Sequence, residues 1–143
     1  NGDSFVSVTG PEASADLRAV WAISSYQWYI GTSTGAFWYT MDQGVTWTQR
    51  NLPDQSTLSE VLDIKFSGEI PEIGAIAVQT TFPVRGLIYR TITGGRTWFS
   101  TLPGISDLPT NERINAVALC DINEIAAAGL ATGSTDGIVA VAR

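Results

Sequence analysis

Short runs of alternating apolar and polar residues recur along the chain, in three successive groups of three. The first runs of each group are LRAVWAI from Leu17, VLDIKF from Val61 and INAVALC from Ile114. The second runs are YQWYIGT, IGAIAVQT and EIAAAGLAT, and the third runs are GAFWYT, GLIYRT and GIVAVAR. Alternation together with β-branched and aromatic residues predicts strands. EIAAAGLA alone would suit a helix by composition, but its place in the repeat predicts a strand.

An eight-residue turn motif follows the third run in the first two groups. It reads TMDQGVTW from Thr40 to Trp47 and TITGGRTW from Thr91 to Trp98. We expect a fourth strand, carrying the tryptophan, to follow this turn. Four antiparallel strands in a repeat of roughly 40–50 residues are typical of a β-propeller blade. The sequence therefore predicts an all-β fold with three blades, at about residues 17–50, 61–101 and 114–143.

The third group ends after its third run, and its fourth strand is predicted at the other end of the chain. Gly2, Ser4 and Phe5 match the Gly-x-Thr-Trp part of the two turn motifs. Residues 1–9 are thus expected to form the outer strand of the blade at 114–143. The chain 1–143 is then one half-propeller domain.

Three blades are fewer than the roughly four to eight of closed propellers. We therefore expect completion by a second copy, as a two-fold ring of six blades, or by further blades of a longer parent. Asn-Gly, recreated where Arg143 would precede Asn1, is a strong hairpin signal that fits either case.

Charge and composition narrow the function classes. The chain has 14 acidic and 8 basic residues, a formal net charge of −6, and no histidine. An acidic chain without a basic cluster is a poor candidate for binding nucleic acid. The lack of histidine removes imidazole as a catalytic base or metal ligand. No metal site, no cofactor and no membrane-spanning segment are predicted.

The stretch from Thr40 to Trp47 resembles the Asp-box, or BNR repeat, whose pattern is Ser/Thr-x-Asp-x-Gly-x-Thr-Trp. Its positions here are Thr40, Asp42, Gly44, Thr46 and Trp47. The second copy has Thr91, Thr93, Gly95, Thr97 and Trp98, so threonine replaces aspartate. The family occurs in sialidases and other glycosidases, sortilin-type receptors, photosystem-assembly factors and phage proteins. The resemblance implies propeller blades, favours an extracellular, periplasmic or virion-associated setting, and leaves the function open.

A structural role is expected for the turn motif. The Asp42 carboxylate can accept hydrogen bonds from backbone N–H groups a few residues on, and Gly44 permits a positive φ. Thr46 can close the turn, and Thr93 can replace the aspartate more weakly. Trp47 is expected to fill space between blades, with Trp98 as its equivalent. The alternative is a catalytic or metal-binding role for Asp42.

Four further residues are candidate ligand-binding positions. Arg18 and Arg113 begin first strands and could bind an anion near the propeller axis, or be solvated charges at strand ends. Asp63 is the best single acid for catalysis, but it shares a strand face with Lys65 and an ion pair would also explain it. Trp28 could be a platform for sugar or protein, or core filling.

No set of residues converges on a catalytic site in the sequence. The prediction is a non-catalytic propeller module for protein or glycan binding, or for structural assembly. The alternative is a fragment of an Asp-box glycoside hydrolase whose catalytic residues lie on blades outside this sequence.

Overall fold

The computed structural model describes residues 6–100, 112–119, 124–131 and 137–142. These residues form three antiparallel sheets, called blades I, II and III here, each with its strands hydrogen-bonded in chain order. Blade I consists of β1 (Leu17–Ala22), β2 (Trp28–Thr32), β3 (Phe37–Thr40) and β4 (Thr48–Arg50). Blade II consists of β5 (Leu58–Phe66), β6 (Gly74–Thr80), β7 (Gly86–Thr91) and β8 (Phe99–Ser100). Blade III consists of β9 (Glu112–Leu119), β10 (Ile125–Ala131) and β11 (Gly137–Ala142).

The predicted repeat of four antiparallel strands is confirmed in blades I and II. The alanine-rich run is strand β10, paired on one side with β9 and on the other with β11. One detail of the prediction was wrong, because the fourth strands do not contain the motif tryptophans. Trp47 and Trp98 lie one residue before β4 and β8, where the chain is still leaving the turn. A single 3-10 turn, Gln55–Thr57, joins blade I to blade II.

The blades stack face to face in chain order. Inner strand β5 packs against β1 and β2, and β9 packs against β5, β6 and β7. Two apolar clusters fill these interfaces. The cluster between blades I and II is aromatic, with the Tyr29 ring stacked on Phe37 at 5.5 Å and on Phe66 at 4.7 Å. The cluster between blades II and III uses smaller side chains, among them Ala75, Ala77 and Val117.

The two motif tryptophans are not equivalent in the structure, contrary to the prediction. Trp98 is 7% exposed and meets the edge of Phe37, a residue of blade I, at 5.3 Å. Trp47 is half-buried, and its indole N–H donates to the Thr9 carbonyl at 3.1 Å. The difference follows from position, because Trp98 faces the neighbouring blade I while Trp47 faces the N-terminal segment.

That N-terminal segment bears on the predicted closing strand. Gly2, Ser4 and Phe5 lie outside the described residues, and residues 6–10 have no strand. Val8 lies against the turn of blade I, where a side chain placed on Gly44 would come within 2.6 Å of it. Pairing of residues 1–9 with blade III therefore stays a prediction.

Outward faces of the two end blades are apolar and open. On blade I, Leu17 is 50% and Val20 is 68% exposed, and on blade III Val139 is 78% exposed. Among the described residues, no helix is long and apolar enough to cross a membrane.

Candidate binding cleft between blades I and II

The first turn motif, Thr40–Trp47, is held by two polar side chains. Thr40 is buried, and its hydroxyl accepts hydrogen bonds from the N–H groups of Asp42 at 3.2 Å and Gly44 at 2.9 Å. The same hydroxyl donates to Asp42 Oδ1 at 2.7 Å. Asp42 in turn accepts from the Thr46 N–H at 2.8 Å and from the Thr46 hydroxyl at 2.5 Å. The aspartate therefore tightens the turn, and the first threonine carries as many of its bonds.

The backbone of the turn needs left-handed conformations at two positions. Gly44 has φ +84°, as predicted, and Gln43 has φ +63°. Two successive residues with positive φ, together with the Val45 N–H bonded to the Asp42 carbonyl at 3.3 Å, are characteristic of a tight hairpin turn.

The second turn motif, Thr91–Trp98, reproduces this geometry without a carboxylate. The Thr91 hydroxyl accepts from the Thr93 N–H at 3.1 Å and the Gly95 N–H at 3.0 Å. The Thr93 hydroxyl takes the position of the aspartate and accepts from the Thr97 N–H at 3.0 Å. Gly94 and Gly95 supply the two positive φ values, +62° and +73°. The second turn is thus an uncharged version of the first.

The charged and uncharged turns should differ in their dependence on pH. The hydrogen bond from the Thr46 hydroxyl, with those from the Thr46 N–H and the Thr40 hydroxyl, lowers the pKa of Asp42 below its usual value. A carboxyl whose pKa falls on folding stabilises the protein above its unfolded pKa, and this contribution is lost as the pH falls through the folded pKa. The Asp42 contribution is therefore present at neutral pH and disappears in acid.

We predict that Asp42→Thr, which copies the second turn, lowers the melting temperature at neutral pH and loses this effect in acid. Melting temperatures of both proteins between about pH 7 and about pH 3 measure the difference. The reciprocal variant Thr93→Asp places a carboxylate in the second turn and should make stability more acid-sensitive. If the melting temperatures of the wild type and Asp42→Thr differed by the same amount at every pH, the hydrogen bonds assigned to the Asp42 carboxylate would be contradicted.

The second turn reaches across to blade I. The Tyr29 hydroxyl donates to the Gly94 carbonyl at 2.8 Å and accepts from the Gln27 side-chain amide at 2.6 Å. A side chain on Gly95 would come within 3.2 Å of the Tyr29 ring. Burial raises the pKa of the Tyr29 phenol, so the hydroxyl keeps its proton and remains a donor at neutral pH. Blade I and the second turn are therefore held at a fixed separation.

A cleft of 610 Å³ opens between blade I and the second turn. Its blade I wall includes Tyr39, Met41 and Arg50, and its blade II wall includes Glu72 and Arg96. Tyr29 and Gln27 lie where the walls meet. The cleft is called the I–II cleft below.

Arginine side chains give the I–II cleft its polarity. The Arg50 guanidinium lies 4.2 Å from the centre of the Tyr39 ring, which is cation–π geometry. Its Nε–H is buried and has no acceptor among the described residues. Both Arg50 and Arg96 are close enough to Tyr29 for their charges to lower the pKa of its phenol, against the larger opposite effect of burial.

The structure does not bring the four predicted ligand-binding residues together. Arg18 pairs with Asp16 at 3.5 Å on blade I, and Arg113 pairs with Glu60 at 2.8 Å between blades III and II. Trp28 is half-buried and lies beside Gly44 of the first turn.

Asp63, the predicted acid candidate, is engaged on both oxygens. Oδ1 accepts from Lys65 Nζ at 2.7 Å and from its neighbour's N–H, and Oδ2 accepts from the Val117 N–H at 3.0 Å. The carboxylate thus ties inner strand β5 to inner strand β9. In the parts of the chain that the structure describes, no cluster of three cysteine, aspartate or glutamate residues could hold a metal ion.

The sequence missed the residues that line the I–II cleft. Alternation carries a usable signal, because Phe37, Tyr39 and Arg50 share one face of blade I once Phe37 is paired with Arg50. The approach of the second turn to that face depends on blade stacking, which the spacing of residues does not reveal.

Comparisons with known proteins identify the architecture. The sequence matches no protein family and no curated protein. Among solved structures, a YCF48 bound to D1 peptide aligns with a TM-score of 0.61 over 88% of this chain at 17% identity. YCF48 from Cyanidioschyzon merolae aligns with a TM-score of 0.59 over 92% of this chain at 18% identity. The GH74 enzyme of Niastella koreensis aligns with a TM-score of 0.54 over 81% of this chain at 19% identity.

These similarities show the fold, which is that of β-propeller blades. The aligned region is 40% of one YCF48 chain and 41% of the other, and 18% of the GH74 enzyme. The chain therefore spans less than half of the length of these proteins.

Proposed function

We propose that this chain is a non-catalytic β-propeller module that binds a segment of another protein in the I–II cleft. The observation that carries the proposal is the cleft itself. It combines an exposed thioether, a tyrosine ring and guanidinium groups. The Tyr29–Gly94 hydrogen bond joins the two walls at a fixed separation. Apolar and aromatic surface beside a few fixed polar groups is the usual composition of a ligand site.

Exposed apolar side chains extend this surface beyond the cleft. Met41, which lines the cleft, is 60% exposed, and Val45 on the same turn is 80% exposed. Tyr26 is 59% exposed, and its carbonyl accepts from the Gln43 N–H of that turn at 3.1 Å. Such a patch offers contacts to a chain longer than the cleft. One propeller neighbour, a YCF48, was solved with a bound peptide, which favours a protein ligand over a glycan.

Glycoside hydrolysis is the second candidate, because GH74 enzymes share the fold. Hydrolysis by two carboxyl groups needs a pair about 5–10 Å apart across a sugar. Asp63 has both oxygens in structural bonds, and among the described residues Glu72 is the one carboxylate that lines the I–II cleft. The proposal therefore assigns this chain no catalytic step.

The open faces of blades I and III also support an assembly role. We propose that they are covered by a second copy, or by further blades of a longer parent, with residues 1–9 completing blade III. The blade boundaries 17–50, 61–101 and 114–143 belong to this proposal. Exposed apolar sheet faces of this kind are normally covered in the assembled state.

Peptide selection tests the binding function. Peptides enriched from a random display library on the purified chain should bind the wild type and lose at least tenfold in affinity for Met41→Trp, which narrows the cleft. The control is Phe82→Trp, because Phe82 is 87% exposed and lies outside both the cleft and the adjoining apolar patch, and this variant should bind like the wild type. Equal affinity for both variants would contradict the site, and turnover of a polysaccharide substrate would favour the hydrolase alternative.

A further inference from the structure

Four arginines of the chain differ in whether the structure gives them a carboxylate partner. Arg18 and Arg113 each pair with a carboxylate. Arg50 and Arg96 have no ion pair among the described residues, although the chain carries a net charge of −6. Both of these unpaired guanidinium groups line the I–II cleft, one on each wall.

We propose that the I–II cleft binds a carboxylate group of its protein ligand, between the guanidinium groups of Arg50 and Arg96. This inference rests on the proposed function and adds the chemical class of the ligand. The carboxylate can come from an acidic side chain or from the C-terminus of the bound segment, since both present the same two oxygens.

The state of Arg50 supports an anionic ligand. The stacking of its guanidinium on Tyr39 fixes the plane of the group, which limits the entropy lost when a ligand binds. Its buried Nε–H has no acceptor in the part of the chain that the structure describes, and an unsatisfied buried donor is costly. A carboxylate oxygen would supply that acceptor, because arginine and carboxylate match in shape and charge.

The charged side chains of the cleft also favour an anionic ligand. The charged side chains that line it in the described part of the chain are Arg50, Arg96 and Glu72, two cations and one anion, so these residues give the cleft one net positive charge. Glu72 is exposed and makes no ion pair with either arginine in the described part of the chain. Tyr29, kept protonated by burial, adds a neutral phenol beside the two cations. An anion would therefore enter a site of opposite charge in a protein whose formal net charge is −6.

Titration with sodium acetate, at constant ionic strength, tests carboxylate binding directly by NMR. The Nε–H signals of Arg50 and Arg96 should shift and saturate, with a dissociation constant in the millimolar range. Arg50→Gln and Arg96→Gln should each weaken binding at least tenfold. The matched control is Arg85→Gln, because Arg85 also has a buried Nε–H with no acceptor among the described residues but lies outside the cleft. If Arg50→Gln does not fold, the exposed Arg96→Gln carries the test alone.

Three peptides then separate the sources of the carboxylate. They are acetyl-Gly-Glu-Gly-amide, its glutamine counterpart, and acetyl-Gly-Gln-Gly with a free C-terminus. Binding of the first or the third above the neutral peptide supports the proposal and names the source. Equal binding of all three, or an acetate titration that leaves both arginine signals unchanged, overturns it.

Failure of this inference and failure of the proposed function give different results. Selected peptides that need the cleft but bind Arg50→Gln and Arg96→Gln normally would overturn the carboxylate and leave the binding function standing. The opposite result is acetate binding at the two arginines when no selected peptide loses affinity for Met41→Trp. That result would overturn the binding function and leave the carboxylate site standing.

Discussion

Replacing Trp98 by alanine is expected to lower the free energy of unfolding by about 3–5 kcal/mol, the usual cost of removing a large buried aromatic side chain. Trp98 is 7% exposed. Its ring makes T-shaped contacts with Phe37 and Phe66, with ring centroids 5.3 Å and 6.0 Å apart. Its loss would leave a cavity in the aromatic cluster that joins blades I and II. Urea unfolding followed by circular dichroism measures the loss.

Trp47→Ala is the matched control, because Trp47 has the same position in the first turn motif. Trp47 is half-buried and hydrogen-bonded to the N-terminal segment, so its removal should cost clearly less than that of Trp98. Equal losses at the two positions would mean that Trp47 is also enclosed between blades. That result would contradict the open outward face of blade I.

Gly31→Ala is expected to destabilise the interface between blades I and II by about 1–3 kcal/mol, as overpacking of a closed core does. A methyl group at Gly31 would lie 2.3 Å from Val61 Cγ1 and 2.6 Å from Val61 Cβ. Val61 is fully buried on inner strand β5. The blades would have to separate to accept the extra carbon.

A double-mutant cycle with Val61→Ala identifies the contact responsible. Shortening Val61 removes the nearer clashing atom, so Gly31→Ala should cost less in that background than in the wild type. Additive losses would show that the glycine is needed for another reason, such as backbone conformation. Tyr29, which lines the I–II cleft, lies two residues before Gly31. The same free energies of unfolding therefore also measure the stability of the blade contact beside the cleft.

Much of the fold could be predicted from the repeated pattern. The alternation within each run and the recurrence of the turn motif place the strands of blades I and II to within a few residues. The alanine-rich run shows why the repeat matters, because its composition alone does not separate helix from strand. Its register with the other second runs did so correctly, and β10 pairs with both β9 and β11.

Position within the stack could not be predicted from the motif. Trp47 and Trp98 occupy the same position of the turn motif, yet Trp98 faces a neighbouring blade and Trp47 faces the N-terminal segment. The motif specifies the local turn through Thr40, Asp42 and their counterparts. It does not specify which blade lies opposite the tryptophan.

The candidate site was missed for a related reason. The predicted ligand residues were chosen by their place on first strands, and the structure commits Arg18, Arg113 and Asp63 to partners nearby. The cleft instead arises where the second turn meets the third and fourth strands of the preceding blade. Such a site depends on the separation of two blades, and that separation is set by Tyr29, Phe37, Phe66 and Trp98 packing together.

Met41 offers the most direct measurement of whether the I–II cleft is the binding site. It is the one methionine of the chain, and it lines the cleft. A protein labelled at the methionine methyl group, mixed with a peptide enriched by selection, should show nuclear Overhauser contacts from the peptide to Met41 and to the Tyr39 ring. Contacts from the peptide to Val20 or Val139, on the open outward faces, with none to Met41, would contradict the account.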